Sequence, residues 1–342
     1  MMKVLVTGGA GFIGSHLAQG LVEAGHRVRV LDNLHAGRRA NLSAVAADVE
    51  FVEGDCSDAT MAERASRGME VVYHQAAVPS VARSVEDPAS AHRNSATATL
   101  NMLVAARDAG VRRFVYAGSS SVYGDAAALP KREDMTPHPL SPYAVGKLAG
   151  EQYVRIFSSL YAMETLTLRY FNVFGPRQDP GSPYSGVVSL FITSMLAGRA
   201  PVVYGDGKQS RDFTYVANVV DGNLRALTAK GLTGQAVNLA TGRRITLNAL
   251  LKALARELGC DASAARKPAR PGDIRHSLAD VRAARRLLGY RPTVDFETGL
   301  RLTLDWYRDT AEVSARRPRR SGGPAKQAGG AGPPSSSGTR DS

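Results

Sequence analysis

Thr7-Gly8-Gly9-Ala10-Gly11-Phe12-Ile13-Gly14 follows the apolar run Val4 to Val6 and opens a helix-like stretch through Ser15 to Glu23. The octet satisfies G-x-G-x-x-G from Gly9 and G-x-x-G-x-x-G from Gly8. A lone glycine match carries little weight. Between a strand and a helix it reads as a loop whose backbone turns tightly and approaches a pyrophosphate seated on the positive helix end. Gly8, Gly11, Phe12, Ile13 and Gly14 are therefore candidate cofactor residues.

Outward from this loop, short apolar runs recur at Val28 to Leu31, Val49 to Val52, Val71 to Tyr73, Phe114 to Ala117 and Leu166 to Leu168, with helix-length segments between them. That alternation predicts an α/β fold, a Rossmann-type doubly wound parallel sheet covered by helices on both faces. Asp32 ends the second run, and its carboxylate can accept from both ribose hydroxyls and repel a 2′-phosphate, which favours NAD over NADP. Arg38 and Arg39 lie nearby and pull the other way. Asn33 neighbours Asp32, and Asp55-Cys56 follow the third run, where Asp55 suits either an adenine contact or a turn. The fourth run ends in His74-Gln75-Ala76-Ala77; small residues leave room for a flat cofactor, and His74 reads as a satisfied, partly buried histidine.

After about residue 172 the pattern changes to Pro- and Gly-rich loops around shorter elements. The expected organisation is a cofactor domain over 1–172, a smaller C-terminal substrate-binding lobe over 173–312 with a segment returning to the sheet, and a tail over 313–342. The 342 residues carry a net charge of +12, of which +5 lies in that Gly/Pro/Ser tail, which should be disordered. No nucleic-acid motif accompanies the charge, so no nucleic-acid partner is expected. No run reaches the roughly 20 apolar residues of a membrane span, and Met1 leads straight into a strand with no signal pattern. Two cysteines, Cys56 and Cys260, are too few for a disulfide framework or a cysteine metal site, so no metal and a reducing cytoplasm are expected.

Chemistry is concentrated in Ser141-Pro142-Tyr143-Ala144-Val145-Gly146-Lys147. Ser141 can cap a helix that Pro142 begins, and Tyr143 and Lys147, four apart, then share one face. A phenol of ordinary pKa about 10 is a poor base at neutral pH, and lowering it about three units takes roughly 4 kcal/mol of preferential phenolate stabilisation, which a neighbouring cation could largely supply. Twenty-odd residues earlier, Ser119, Ser120 and Ser121 leave the fifth run at the carboxyl end of the sheet, where ligands bind. Taken alone, Tyr-x-x-x-Lys equally describes an amphipathic helix with a packed tyrosine and a solvated lysine.

Together, Thr7 to Leu17, Ser119 to Gly124, Ser141 to Lys147, Leu168 to Asn172, Gly205 to Phe213 and Arg270-Pro271-Gly272-Asp273 resemble the extended short-chain dehydrogenase/reductase family, specifically its nucleotide-sugar 4-epimerases. The resemblance spans about residues 1 to 310. It implies that Tyr143 takes the proton of the sugar C4 hydroxyl while hydride passes from C4 to NAD, and that the 4-keto sugar rotates and regains the hydride on its other face. Lys147 would lower the tyrosine pKa and hold the nicotinamide ribose, and Ser119 and Ser121 would bridge to the hydroxyl. Phe171 would lie near the cofactor, as would Gln75, Ala76 and Ala77; Ser95, or Asn94 beside it, would touch the nicotinamide side. Asn172, Arg211 and Arg270 would contact the diphosphate, Tyr204 would stack on uracil, Asp273 would hold the ribose, and Ser80, Ser120, Val188 and Ser277 would complete the substrate site.

Related 4,6-dehydratases carry an acidic pair where this chain has Ser120 and Ser121, and related decarboxylases carry a glutamate at Ser121, so elimination and decarboxylation lack an acid here. At Ser277 the resemblance implies a gatekeeper beside the sugar C2 substituent: a small serine leaves room for an N-acetyl group, unless Ser277 serves only as a helix cap. The expected substrates are UDP-N-acetylglucosamine and UDP-N-acetylgalactosamine, with UDP-glucose and UDP-galactose in addition. UDP-glucuronate and a non-catalytic NAD-binding regulator are the alternatives. Relatives pair two long helices per subunit, so a homodimer through Leu100–Arg107 and Tyr143–Leu160 is implied.

Overall fold

The computed structural model describes residues 1–179, 186–269 and 274–316, with side chains to 310. Six strands form the first part of one sheet: β1 (Lys3–Thr7), β2 (Arg27–Asp32), β3 (Val49–Glu53), β4 (Val71–His74), β5 (Arg113–Ser119) and β6 (Glu164–Tyr170). The strand Ala236–Leu239 returns from the later half to pair with β6, giving the order Ala236–Leu239, β6, β5, β4, β1, β2, β3, with every pair parallel. The order reverses beside β1, and that crevice at the carboxyl ends of the strands is where this architecture binds ligands.

Helices α1 (Phe12–Glu23), α2 (Ala59–Ser66), α3 (Val81–Glu86), α4 (Pro88–His92), α5 (Ala98–Asp108) and α6 (Pro142–Tyr161) follow in chain order. Because strand side chains alternate, Val4 and Val6 pack with Leu17 and Leu21 of α1 on one face, while Leu5 packs with Met102, Leu103 and Val154 of α5 and α6 on the other. Burying both faces explains why these strands read as continuous apolar runs. A separate apolar cluster centred on Phe174, Phe191, Phe213, Leu250 and Leu304 packs the later half of the chain.

Helix α6 begins as its sequence dictates: the Ala144 amide donates to Ser141 Oγ at 3.2 Å and Pro142 occupies the first turn. A buried ion pair locks α6 to β6, with Arg169 donating to Glu151 at 2.9 and 2.5 Å. Burial alone would lower the Arg169 pKa, but Glu151 and the Tyr123 hydroxyl reverse that and raise it. Glu151→Ala strands a buried guanidinium and is expected to cost about 3–5 kcal/mol, read as an earlier midpoint in denaturant unfolding.

Among the described residues no helix is long and apolar enough to cross a membrane. The tail expected to begin at 313 starts later, because the helix Phe296–Arg316 continues through its first four residues; residues 317–342, Arg270 and Asp273 lie outside the described residues.

Candidate active site

A cleft of about 1000 Å³ runs across the carboxyl ends of the strands, from the glycine loop past β4 and β5 to the segment around Ser277. Gly8 adopts φ +64°, and a Cβ there would come within 2.7 Å of the Ala76 backbone; a Cβ on Gly14 would come within 2.1 Å of the Gly8 carbonyl oxygen. The loop is thus closed against β4 and the first turn of α1, and only glycine fits.

Asp32 is buried and held by two backbone amides, Ala10 donating to Oδ2 at 2.9 Å and Leu34 to Oδ1 at 2.8 Å. The two arginines that could meet a 2′-phosphate are engaged: Arg38 pairs with Asp179 at 2.6 Å, and Arg39 pairs with Glu53 at 2.9 Å over the Phe51 ring. Asn33 donates to Asp55 at 2.8 Å and the Ser57 amide donates at 2.7 Å. Burial pushes the Asp55 carboxyl up, but these bonds outweigh it and hold it below the usual carboxylate range. Cys56 is buried and its thiol is pushed up to about 12, chiefly by burial, which leaves it inert.

His74 is buried between two threonines, Thr7 Oγ1 at 2.7 Å from Nδ1 and Thr99 Oγ1 at 3.2 Å from Nε2. Thr99 spends its own proton on the Ser95 carbonyl, so it accepts from Nε2–H and Thr7 donates to Nδ1. Burial, with Lys147 adding to it, holds the ring neutral by lowering its pKa to about 3. The ring is satisfied, as the sequence reading expects, and buried more completely than that reading has it.

At the end of β5, the Ser121 hydroxyl donates to Ser119 Oγ at 2.9 Å and the Ser121 amide donates at 3.2 Å. With its oxygen accepting twice, the Ser119 proton is left to point elsewhere, and Tyr143 is the group it acts on. Burial raises the Tyr143 pKa and the Ser119 hydroxyl opposes the rise. Lys147 donates to the Ala117 carbonyl at 2.8 Å and lies 5.0 Å from the Tyr116 ring centre. Burial pushes its ammonium down to about 7. Lys147 is thus anchored to β5 and costly to keep charged, while the Ser119 hydroxyl opposes the rise at Tyr143.

Of the remaining sequence candidates, Gly11, Phe12, Ile13, Gln75, Ala76, Ala77, Ser80, Ser120, Asn172, Arg211 and Ser277 line the same cleft. Ser95 does not. A π-helical turn over Arg93–Thr97 brings Asn94 to the wall and leaves Ser95 buried behind Gly146. Phe171 and Val188 are buried in apolar clusters rather than in the wall, and Tyr204 lies on a half-buried strand outside it.

Arg177, Asp179 and Lys131 join the wall without having been singled out in the sequence. Arg177 reaches back to α1, donating to Gln19 Oε1 at 2.5 Å, while His16 Nε2 lies 3.0 Å from the Pro176 carbonyl. Residues 175–179 thereby close over the start of α1.

The family model for the NAD dependent epimerase/dehydratase family matches residues 4–240. A UDP-glucose 4-epimerase of Mycolicibacterium smegmatis is 41% identical over 315 residues, covering 91% of this chain and 100% of that protein. Among solved structures, a UDP-N-acetylglucosamine 4-epimerase from Methanobrevibacter ruminantium, in complex with UDP-N-acetylmuramic acid, is 36% identical with a TM-score of 0.86, covering 90% of this chain and 99% of that one. A UDP-glucose 4-epimerase from Thermotoga maritima with UDP-glucose is 39% identical, again at 0.86, covering 91% and 100%. The glycine cradle, the amide-held Asp32 and the paired Arg38 and Arg39 suit NAD as cofactor, and the chain belongs to the NAD dependent epimerase/dehydratase family.

Proposed function

We propose that this enzyme, an NAD-dependent UDP-sugar 4-epimerase, acts on the UDP-N-acetylglucosamine and UDP-N-acetylgalactosamine pair and also accepts UDP-glucose and UDP-galactose. The observation that carries the choice of sugar is Ser277, a small residue in the wall of the cleft, with its amide bonded to the Ser210 carbonyl at 3.0 Å. A short hydroxymethyl there leaves volume for an acetamido group, and it caps no described helix, the nearest beginning at Arg282.

NAD, which the glycine loop and Asp32 would hold, would supply a reversible hydride acceptor for the sugar C4. The chain's own residues hold and move the proton. Tyr143 takes it from the C4 hydroxyl and later gives it back, and the Ser119 hydroxyl, freed by the two bonds its oxygen accepts, steadies the phenolate. Lys147, fixed by Ala117, keeps two further N–H donors for the cofactor ribose and supplies positive charge when protonated. Arg211 and Asn172 serve the diphosphate, with Arg270 and Asp273 assigned by resemblance alone. Ser120 and Ser121 carry no carboxylate, which favours return of the hydride over elimination or decarboxylation. The same reading makes the protein a cytoplasmic homodimer through α5 and α6, where Val145, Ile156 and Leu160 are exposed.

Ser277→Tyr tests the choice of sugar. It is expected to lower kcat/KM for UDP-N-acetylglucosamine about 10–100-fold relative to UDP-glucose, by filling the acetamido space. Equal losses on both sugars would remove the basis for the acetylated substrate.

A further inference from the structure

Lys131 carries the only described ammonium besides Lys147 in the wall of the cleft, and no sequence motif or reaction step above uses it. Its residue is 2% exposed, on the stretch between the serine loop and α6. A long-range pairing sets its position. The Lys131 amide donates to the Leu278 carbonyl at 2.7 Å, the Asp280 amide donates to the Lys131 carbonyl at 2.9 Å, and Lys131 and Ala279 form a parallel bridge. The bridge sets Lys131 beside Ala279, two residues along the chain from Ser277, and Lys131 and Ser277 both contribute to the cleft wall.

The ammonium donates to the Ala126 carbonyl and forms no ion pair among the described residues; Asp125 acts on it only at a distance. Burial lowers its pKa from the ordinary lysine value and Asp125 partly offsets this. A buried cation with one neutral acceptor keeps two donors unspent, a costly arrangement unless a ligand uses them. Met would fill the same volume without that cost.

We propose that Lys131 is a specificity residue that donates a hydrogen bond to an acyl oxygen on the bound sugar, a group that a sugar bearing only hydroxyls lacks. Two sources of that chemistry suit a UDP-sugar, the carbonyl of a 2-acetamido group and a C6 carboxylate. The inference rests on the reading of this cleft as a UDP-sugar site with its sugar end at Ser277. Lys131 makes no contact with the proton or the hydride.

The test uses the full-length protein with Lys131→Met and Lys131→Arg. Calorimetric binding and kcat/KM are measured for UDP-N-acetylglucosamine, UDP-glucuronate and UDP-glucose, with UDP as the control for folding and nucleotide binding. Lys131→Met is expected to weaken one acyl-bearing sugar about tenfold or more relative to UDP-glucose, and Lys131→Arg to restore part of the loss. Loss confined to the acetylated sugar identifies the carbonyl; loss confined to glucuronate identifies the carboxylate. Unchanged ratios among the three sugars, with UDP binding intact, overturn the proposal. If the wild-type protein binds these sugars but inverts none of them, the epimerase reading fails, while the binding ratios still decide the role of Lys131.

Discussion

Tyr143→Phe is expected to lower kcat about 10³-fold while leaving bound NAD and the thermal midpoint nearly unchanged. The ring is half-buried in the cleft wall, so phenylalanine keeps its packing and removes only the hydroxyl that Ser119 addresses. Burial raises the phenol pKa, so the proton is held more tightly than in free tyrosine and the base acts only when charge nearby favours the phenolate. In the proposed reaction Ser119 and the protonated Lys147 supply that charge. A variant that keeps even a tenth of wild-type turnover would remove Tyr143 from the reaction. Cofactor content, read by absorbance after denaturation, separates loss of chemistry from loss of NAD.

Lys147→Met is expected to move activity and stability in opposite directions. Its ammonium is buried and pushed down to about 7, whereas in the unfolded chain it stays near the ordinary lysine value of about 10.4. Between those two values the unfolded chain binds more protons than the folded one, so this group makes stability rise as pH rises. Its cost is fully present below about pH 7 and absent above the unfolded value. Removing the charge should stabilise the cofactor-free protein by about 1–3 kcal/mol at pH 7, after subtracting the lost bond to Ala117, and the gain should shrink toward pH 10. Turnover should fall about 10²–10³-fold, because the phenolate loses its cation. Thermal unfolding at pH 7 and pH 10 beside steady-state rates reads both effects; a variant less stable than wild type at pH 7 contradicts the burial argument.

Much of this was legible in the chain because it is local. The alternation of apolar runs gives the parallel sheet, since strands buried on both faces need little else to declare themselves. The helix that carries Tyr143 and Lys147 announces its first turn through Ser141 and Pro142, and the glycine octet needs only its flanking strand and helix. The strand Ala236–Leu239 was expected only as an unspecified return, because its partner β6 lies far away in sequence.

What was not legible depends on geometry that no local pattern carries. The exchange of Ser95 for Asn94 follows from a π-helical turn, whose one extra residue rotates the face presented to the cleft. Lys131 reaches the wall through a single bridge to Ala279, on a stretch nearly 150 residues further along the chain. The closing of residues 175–179 over α1 rests on Arg177 finding Gln19, and the neutral reading of Arg38 and Arg39 rests on acids distant in sequence. The raised Tyr143 and lowered Lys147 values are likewise effects of burial, which spacing along a helix does not reveal.

In the proposed reaction this chain inverts C4 of a UDP-sugar by taking and returning the same hydride. The most direct test incubates the purified protein with UDP-N-acetylglucosamine in deuterated water, without added NAD, and follows the sugar H4 by proton NMR. Conversion to the C4 epimer with the hydrogen at C4 retained is expected. Inversion with deuterium at C4, or no inversion of any UDP-sugar even after NAD is supplied, contradicts it.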